Sequence, residues 1–338
     1  MLTAADFRPQ ESAWQLLTKE LPEGTLPHAL LLTGQDGFGK RSLADLIAAS
    51  LLCEAEGAEK PCGVCPACLR FSSGNHPDLI RIRPGEPIDP GEEKGKRSIP
   101  IADIRELTRI VSRHTLSGGN RAVVIERADA MTLQAQNALL KTIEEPPPGV
   151  YFILICVSPG LLLPTTVSRC REIPLHGWND GDLRRILART ETDPSRAEAA
   201  VRACGGSVGR ALRLCASEEW WERRQQVLRD FFGLARRSDI PVISARMKED
   251  KALANDTLDT LDDLLRELTL VSLHRRDPAE IRGFPEEWQR AAAAGKYAGF
   301  VKLMDATADT RRMLESNVGI QALWEQLLLK VMEERSQW

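Results

Sequence analysis

The sequence predicts an α/β domain with a mostly parallel sheet and helices on both faces, followed by an all-helical C-terminal region. In the first part of the chain, short apolar runs alternate with amphipathic stretches, which is the order of elements in such a sheet. Further on, helical periodicity continues without strand-like runs. We place boundaries near residues 174 and 217, which gives three parts at 1–174, 175–216 and 217–338.

Four apolar runs are predicted to be the strands of the sheet. Each is short, rich in aliphatic residues and bounded by turn or helix signals, as in strands that are buried on both faces. The predicted strands are residues 28–33, 79–82, 122–125 and 151–157.

The segments between and after these runs have helical spacing of apolar residues. The predicted helices cover residues 42–52, 101–114, 133–144, 258–273, 300–314 and 320–332. Thr132 is expected to cap the helix at 133–144, and prolines from Pro146 onwards end it. Segment 83–97 is rich in Pro, Gly and charge, and we predict a mobile surface loop there.

Composition and charge disfavour several classes of protein. The net charge of −3 over 338 residues gives no overall basic surface for nucleic acid, although a local one is compatible with it. No apolar run approaches the roughly 18 residues of a membrane span, and the N-terminus does not have the pattern of a signal peptide. A cytoplasmic location without disulfides is therefore predicted.

A phosphate-binding loop is predicted directly after the first strand. It reads Gly-Gln-Asp-Gly-Phe-Gly-Lys, the G-x-x-x-x-G-K pattern between a strand and a helix. Gly34, Gly37 and Gly39 let backbone N–H groups approach phosphates, and Lys40 neutralises their charge, so these are the candidate nucleotide-binding residues. The next residue is normally a Ser or Thr that holds Mg²⁺, but here it is Arg41, which is only a donor and stays charged.

A second departure from ATPase chemistry follows the third strand. ATPases of this plan place there an Asp for Mg²⁺ and, in many families, a Glu that orients the attacking water. The residues here are Glu126 and Arg127. Glu126 could still hold a metal ion at a shifted distance, whereas Arg127 cannot act as a base. Together with Arg41, this predicts that hydrolysis is lost and leaves open whether ATP still binds.

Four of the eight cysteines form a candidate metal site. Cys53, Cys62, Cys65 and Cys68 have the spacing C-x8-C-x2-C-x2-C, and four thiolates close a tetrahedral Zn²⁺ site. A closed four-sulfur shell has no position for water, so the zinc would be structural rather than catalytic. An iron–sulfur cluster is the alternative interpretation of the same ligands.

A candidate catalytic arginine lies close behind the fourth strand, in the triplet Ser168-Arg169-Cys170. One interpretation of Arg169 is a solvated surface side chain. The other is an arginine finger that is offered in trans to the ATP of a neighbouring subunit, a contribution worth about 10³–10⁵ in rate.

With these motifs in hand, the chain resembles the delta-prime family of bacterial clamp loaders, which are AAA+ subunits of DNA polymerase III. The resemblance also depends on Ala-Asp-Ala-Met at 128–131 and on Asn-Ala-Leu-Leu-Lys-Thr-Ile-Glu-Glu-Pro-Pro at 137–147. The block at 137–147 and the Ser-Arg-Cys triplet are specific to clamp loaders. The resemblance covers essentially the whole chain.

The resemblance implies an AAA+ P-loop domain with a zinc module at 53–68, a small helical lid and an α-helical collar domain for oligomerisation. It implies a subunit without ATPase activity of its own, whose Arg169 serves the ATP of the adjacent motor subunit. The implied partners are the gamma/tau motor subunits and the delta subunit through the collar, and the sliding clamp and primer-template DNA through the complex. The implied assembly acts in DNA replication as a DNA-directed DNA polymerase, a nucleotidyltransferase.

Two other functions are compatible with parts of this sequence. The first is an ATP-hydrolysing motor subunit of the gamma/tau type. Arg41 and Arg127 disfavour it, as does Gly209, which stands where motor subunits carry an Arg that senses the γ-phosphate. The second is a zinc-dependent DNA-binding module, which the weak overall charge disfavours because phosphate contacts need clustered Lys and Arg.

Overall fold

The computed structural model of the chain describes residues 2–56, 59–86, 98–116, 119–246, 250–316 and 319–338. The chain divides into two units. The first consists of Met1–Thr190 and Gly206–Arg210, and the second of Glu191–Gly205 and Ala211–Trp338. The three-part division at residues 174 and 217 stays a prediction. Most of the predicted loop at 83–97 lies outside the described residues.

A parallel sheet forms the centre of the first unit, in the order β2-β3-β4-β1-β5. Its strands are β1 (Ala29–Thr33), β2 (Leu79–Ile82), β3 (Arg121–Ile125), β4 (Val150–Ile155) and β5 (Arg171–Pro174). Every residue of β1 and β3 is buried, which fits strands covered on both faces. The predicted α/β class and the four predicted strands are thus confirmed. The sequence analysis missed β5, an edge strand whose first two residues are exposed.

Helices surround this sheet. Those within the first unit are α1 (Glu11–Gln15), α2 (Leu21–Glu23), α3 (Lys40–Leu52), α4 (Pro66–Ser72), α5 (Ile101–Val111), α6 (Leu133–Glu144), α7 (Pro164–Val167) and α8 (Asp180–Leu187). The Thr132 side chain accepts a hydrogen bond from the Ala135 N–H at 3.2 Å, so the predicted cap of α6 is confirmed.

The two faces of the sheet bury different helices. Successive side chains of a strand point to opposite faces. Leu31 is level with Leu154, which is level with Ile125, and Val123 is two residues from Ile125. Leu31 and Val123 therefore share a face, and they belong to one core cluster with the apolar residues of α5 and α6. Helix α3 contacts β1, β3 and β4, and its Leu43 and Ile47 are fully buried. The sheet is thus covered by helices on both sides, as predicted.

The described residues of the second unit are helical. Its helices are α9 (Pro194–Ala203), the end of α10 (Val208–Ala216), α11 (Glu218–Val227), α12 (Ile240–Ala245), α13 (Lys251–Ser272), α14 (Glu286–Ala293), α15 (Tyr297–Leu314) and α16 (Ile320–Arg335). Edge-to-face aromatic pairs fill its core: Phe231 meets Trp324 at 5.3 Å and Phe232 meets Trp288 at 4.6 Å between ring centroids. None of the described helices is long and apolar enough to cross a membrane.

A buried ion triad joins three helices of the second unit. The Glu267 carboxylate on α13 lies 2.9 Å from Arg224 on α11 and 3.1 Å from Arg202 on α9. Buried charges need such pairing because their desolvation is costly. Helix α9 is therefore held to α13 by charge as well as by packing.

A second buried ion pair fixes the start of β3 in the first unit. The Arg121 guanidinium lies 3.0 Å from Oδ1 of Asp78, and both side chains are almost completely buried. Arg121 also donates to the carbonyl of Ile110 in the last turn of α5 and to those of Arg113 and His114 just after it. This one side chain therefore links a strand end to the chain that leaves a helix.

We expect Arg121→Ala to lower the free energy of unfolding of the first unit by about 3–5 kcal/mol, because it leaves the Asp78 carboxylate buried without its cation. Urea denaturation followed by circular dichroism measures the loss. Arg109→Ala is the matched control, since Arg109 forms an exposed pair with Glu106 and should change little. Equal losses for the two variants would contradict this account of Arg121.

Candidate functional site

The phosphate loop connects β1 to α3 at the carboxyl edge of the sheet. β1 lies between β4 and β5, a switch point at which α/β sheets bind ligands. Gly34, Gly37 and Gly39 have φ angles of +132°, +81° and +98°, a region that favours glycine. The predicted nucleotide-binding glycines thus have the backbone freedom that a phosphate cradle requires.

The loop also packs closely against two other segments of the first unit. A Cβ on Gly34 would lie 2.3 Å from the carbonyl oxygen of Leu175, just after β5, and one on Gly37 would lie 2.1 Å from Oγ of Ser207. The Gly209 N–H donates to the Gly37 carbonyl at 2.9 Å. Gly209, which is predicted to stand at the γ-phosphate-sensing position, therefore contacts the loop through its backbone.

Lys40 turns its ammonium group towards its own loop. Nζ donates to the carbonyls of Gly34 and Gln35, the latter at 2.9 Å, and lies 3.7 Å from the Asp36 carboxylate. Burial lowers the pKa of Lys40, and the nearby Asp36 partly opposes that shift. The lysine is thus positioned at the loop where a phosphate would bind.

The two residues that replace Mg²⁺ ligands contact each other. The Arg41 guanidinium lies 3.4 Å from Oε1 of Glu126. The same oxygen lies 3.0 Å from Nε of Arg83 and 3.8 Å from Arg81. Glu126 raises the pKa of Arg83 through this hydrogen bond. Arg41 offers no lone pair and Glu126 is surrounded by three cations, so this set of side chains does not fit Mg²⁺.

Arg127, at the position predicted for the catalytic base, is an exposed guanidinium. Its φ of +53° is unusual for a residue other than glycine, and it directs the chain into the turn at Ala128–Ala130. Its nearest carboxylate partner is Asp129, at 3.6 Å. A side chain that only donates cannot take a proton from water, so Arg127 does not fit the role of a base.

Arg169 follows α7 at the edge of the domain. It pairs with Glu144 at the end of α6, and its Nη1 donates to the Thr165 carbonyl at 2.8 Å. Glu144 belongs to the block at 137–147, so two of the motifs that carry the family resemblance meet at this ion pair. Sequence reasoning missed Glu144 as a partner; an acidic residue at a helix end next to a proline run was the available signal.

The four predicted metal ligands converge. Their sulfur atoms all lie within 4.8 Å of one another, and the Cys53–Cys65 and Cys62–Cys68 distances are each 4.0 Å. Sulfurs at the corners of a tetrahedral zinc site are about 3.8 Å apart, given Zn–S bonds of about 2.3 Å. The cluster therefore has the size and donor set to hold one metal ion.

Backbone N–H groups donate hydrogen bonds to two of these sulfur atoms, which favours their thiolate form. Cys65 N–H donates to Sγ of Cys62, and Cys68 N–H donates to Sγ of Cys65, each at 3.4 Å. The second bond is the main cause that lowers the pKa of Cys65 to about 6, whereas burial raises the pKa of Cys68 to about 12. A bound cation would favour the thiolate form of all four.

A P-loop at the switch point of a parallel sheet with this strand order defines a P-loop protein of the AAA+ class. A sequence profile of the family described as "DNA polymerase III, delta subunit" matches residues 9–178, half of the chain, and the chain belongs to this family. The expected clamp-loader family is thereby confirmed.

Several curated proteins are similar to the chain. DNA polymerase III subunit delta' of Bacillus subtilis is 28% identical over 329 residues, 96% of each chain. The delta' subunit of Escherichia coli is 36% identical over 197 residues, 58% of this chain and 57% of that one. Subunit tau of Escherichia coli is 32% identical over 218 residues, 63% of this chain but 32% of that one. These similarities favour delta' over tau.

Among solved structures, a DNA polymerase III gamma subunit-related protein of Thermotoga maritima is 17% identical. The match covers 94% of this chain and 99% of that one, with a TM-score of 0.43.

The close approach of the Leu175 carbonyl to Gly34 predicts that a side chain at residue 34 lowers stability. Gly34→Ala should lower the free energy of unfolding by about 1–3 kcal/mol more than Gly24→Ala, because its Cβ would meet the Leu175 carbonyl. Gly24 is the matched control, since it also has a positive φ and no described atom lies within 4 Å of its added Cβ. Thermal unfolding of both variants measures the difference, and equal destabilisation would show that Leu175 is free to move.

Proposed function

We propose that this chain is a delta-prime-like subunit of the bacterial clamp loader that does not hydrolyse ATP itself. In this role it helps to load the sliding clamp onto primed DNA in replication, as part of a DNA polymerase holoenzyme. The observation that carries the proposal is the ion pair between Arg41 and Glu126. It puts a guanidinium–carboxylate contact where a hydrolysing P-loop protein holds its metal ion.

The loss of hydrolysis follows from charge and proton chemistry. Phosphoryl transfer needs Mg²⁺ to neutralise developing charge and a group that orients the attacking water. Arg41 and Arg127 supply neither of these functions. The alternative, an ATP-hydrolysing gamma/tau-like motor subunit, requires both of them.

Arg169 is proposed to be the catalytic residue of the assembly, acting on the ATP of the adjacent motor subunit. Both side chains of its pair with Glu144 are partly exposed, at 33% and 43%. An exposed ion pair contributes little stability in water, so phosphate oxygens can compete for the guanidinium. Arginine also matches phosphate well because its planar donors bind two oxygens at once.

The helical second unit is proposed to carry the collar that contacts the motor and delta subunits. Tyr297 and Val301 are exposed on α15, and their spacing of four residues puts them on one face of the helix. An exposed apolar face of this kind is typical of a surface that another helix covers. Contacts with the clamp and with primer-template DNA are proposed to occur within the complex.

The cysteine cluster is proposed to bind a structural Zn²⁺. Four thiolates complete its coordination, so the ion would order the chain between α3 and β2 without taking part in chemistry. Iron–sulfur ligation is the competing proposal, because it uses the same four donors.

Arg169→Ala should reduce ATP hydrolysis at the neighbouring motor site by about 10³-fold or more, because the transition-state charge loses its arginine. The measurement is ATPase activity of the reconstituted complex in which the P-loop lysines of the other motor sites are inactivated. Arg171→Ala is the control, since it removes a partly exposed arginine two residues away, paired with Glu20. Both variants should still co-purify with the complex, and an unchanged rate for Arg169→Ala would remove the finger assignment.

Purified wild-type protein should contain one zinc ion per chain, whereas Cys62→Ser should contain less, since three thiolates bind zinc more weakly than four. Elemental analysis by mass spectrometry measures both. Cys215→Ser is the control because this buried cysteine lies in the second unit, and it should retain the ion. Iron with a visible absorbance band, or wild-type protein without any metal, would refute the zinc proposal.

A further inference from the structure

The Glu126 carboxylate does not depend on Arg41 alone for its neutralisation. Arg83 lies closer, at 3.0 Å, and Arg81 lies at 3.8 Å. Arg81 is itself anchored by the Asp45 carboxylate at 2.7 Å, and Arg83 by Glu86 at 3.4 Å. If Arg41 moved away, two anchored guanidiniums would still neutralise Glu126.

Arg41 is the side chain of the three that has freedom to move. It is 58% exposed, whereas Arg81 is 23% and Arg83 is 32% exposed. Its backbone is fixed in the first turn of α3, directly after Lys40, where the N–H groups of the loop and helix favour an anion. A phosphate in the loop would therefore lie within reach of the Arg41 guanidinium. If Arg41 left Glu126 for the phosphate, Arg83 and Arg81 would still neutralise that carboxylate.

A divalent metal ion, unlike a phosphate, would find neither free ligands nor a favourable charge at this site. It would need oxygen ligands in a site where Arg41 replaces the hydroxyl and Glu126 is occupied by arginines. It would also be repelled by several positive charges at short distance. The side chains thus exclude the metal while the loop glycines and Lys40 keep the features that accept phosphate.

From this arrangement we infer that the loop binds a nucleoside di- or triphosphate without a divalent metal ion. The guanidinium of Arg41 moves from Glu126 to the phosphates and takes over the charge neutralisation that Mg²⁺ provides in other P-loop proteins. The inference deepens the proposed function, since it assumes that a loop without hydrolysis still holds a nucleotide. No bond is formed or broken in this step.

Calorimetric titration of the full-length chain with ATP and ADP, in excess Mg²⁺ and in EDTA, tests the inference. The affinity of at least one nucleotide should be the same or higher in EDTA. Arg41→Thr, which restores the hydroxyl of an ordinary P-loop, should bind it at least about tenfold more weakly in EDTA, a loss of about 1.4 kcal/mol. Lys40→Ala should weaken binding further, which would locate the nucleotide in the loop. Arg109→Thr is the control for an exposed, ion-paired arginine and should match the wild type.

Three results would overturn the inference. These are a wild-type affinity that falls about tenfold or more when Mg²⁺ is removed, binding that is insensitive to both Lys40→Ala and Arg41→Thr, and no binding of either nucleotide in either buffer. None of these results bears on the clamp-loader proposal, whose tests are the ATPase rate of the reconstituted complex and the effect of Arg169→Ala on it.

Discussion

The pairing of the edge strand β5 with β1 is the constraint on which the arrangement of the phosphate loop depends. Leu175 N–H donates to the Thr33 carbonyl at 2.8 Å, which extends the strand pairing to the start of the loop. This puts the Leu175 carbonyl against Gly34 and brings Trp178, three residues on, next to Phe38. There the indole Nε1–H donates to the Phe38 carbonyl at 2.9 Å, and Trp178 N–H donates to Gly206 at 2.9 Å. The pairing of β5 with β1 thus helps to fix the loop at Gly34 and at Phe38.

Side chains next to this loop pair their charges with one another where other P-loop proteins coordinate a metal ion. A P-loop that exchanges Mg²⁺ with each nucleotide needs acceptor side chains that are open to the ion. Arg41 and Glu126 instead form an ion pair, and Arg83 donates a hydrogen bond to the same carboxylate oxygen. A carboxylate in this state remains neutralised whether or not a ligand is present. The substitution at residue 41 therefore affects the electrostatics of the whole carboxyl edge as well as one ligand position.

Sequence reasoning succeeded where the signal was local. The apolar runs of β1 to β4, the Thr132 cap and the spacing of the four cysteines each lie within a short segment, and the structure agrees with all of them. It failed for β5 because Arg171, Glu172 and the proline at the strand's end hide an edge strand that is buried at only one position. It did not predict the ion pair between Glu126 and Arg41, because that contact depends on how α3 packs against β3, two elements far apart in sequence.

At Arg169 the backbone is anchored, whereas the side chain is held only by its ion pair with Glu144. Thr166 on one side of it is fully buried, and burial raises the pKa of Cys170 on the other side to about 11, so that thiol stays neutral and packed. The backbone at residue 169 is therefore anchored on both sides. The guanidinium itself is held by the partly exposed Glu144 carboxylate. This carboxylate competes weakly for the guanidinium with a phosphate, which carries more charge. The trans role proposed for Arg169 needs this combination, because the backbone sets the direction of the side chain and the weak ion pair holds the guanidinium until a phosphate displaces Glu144.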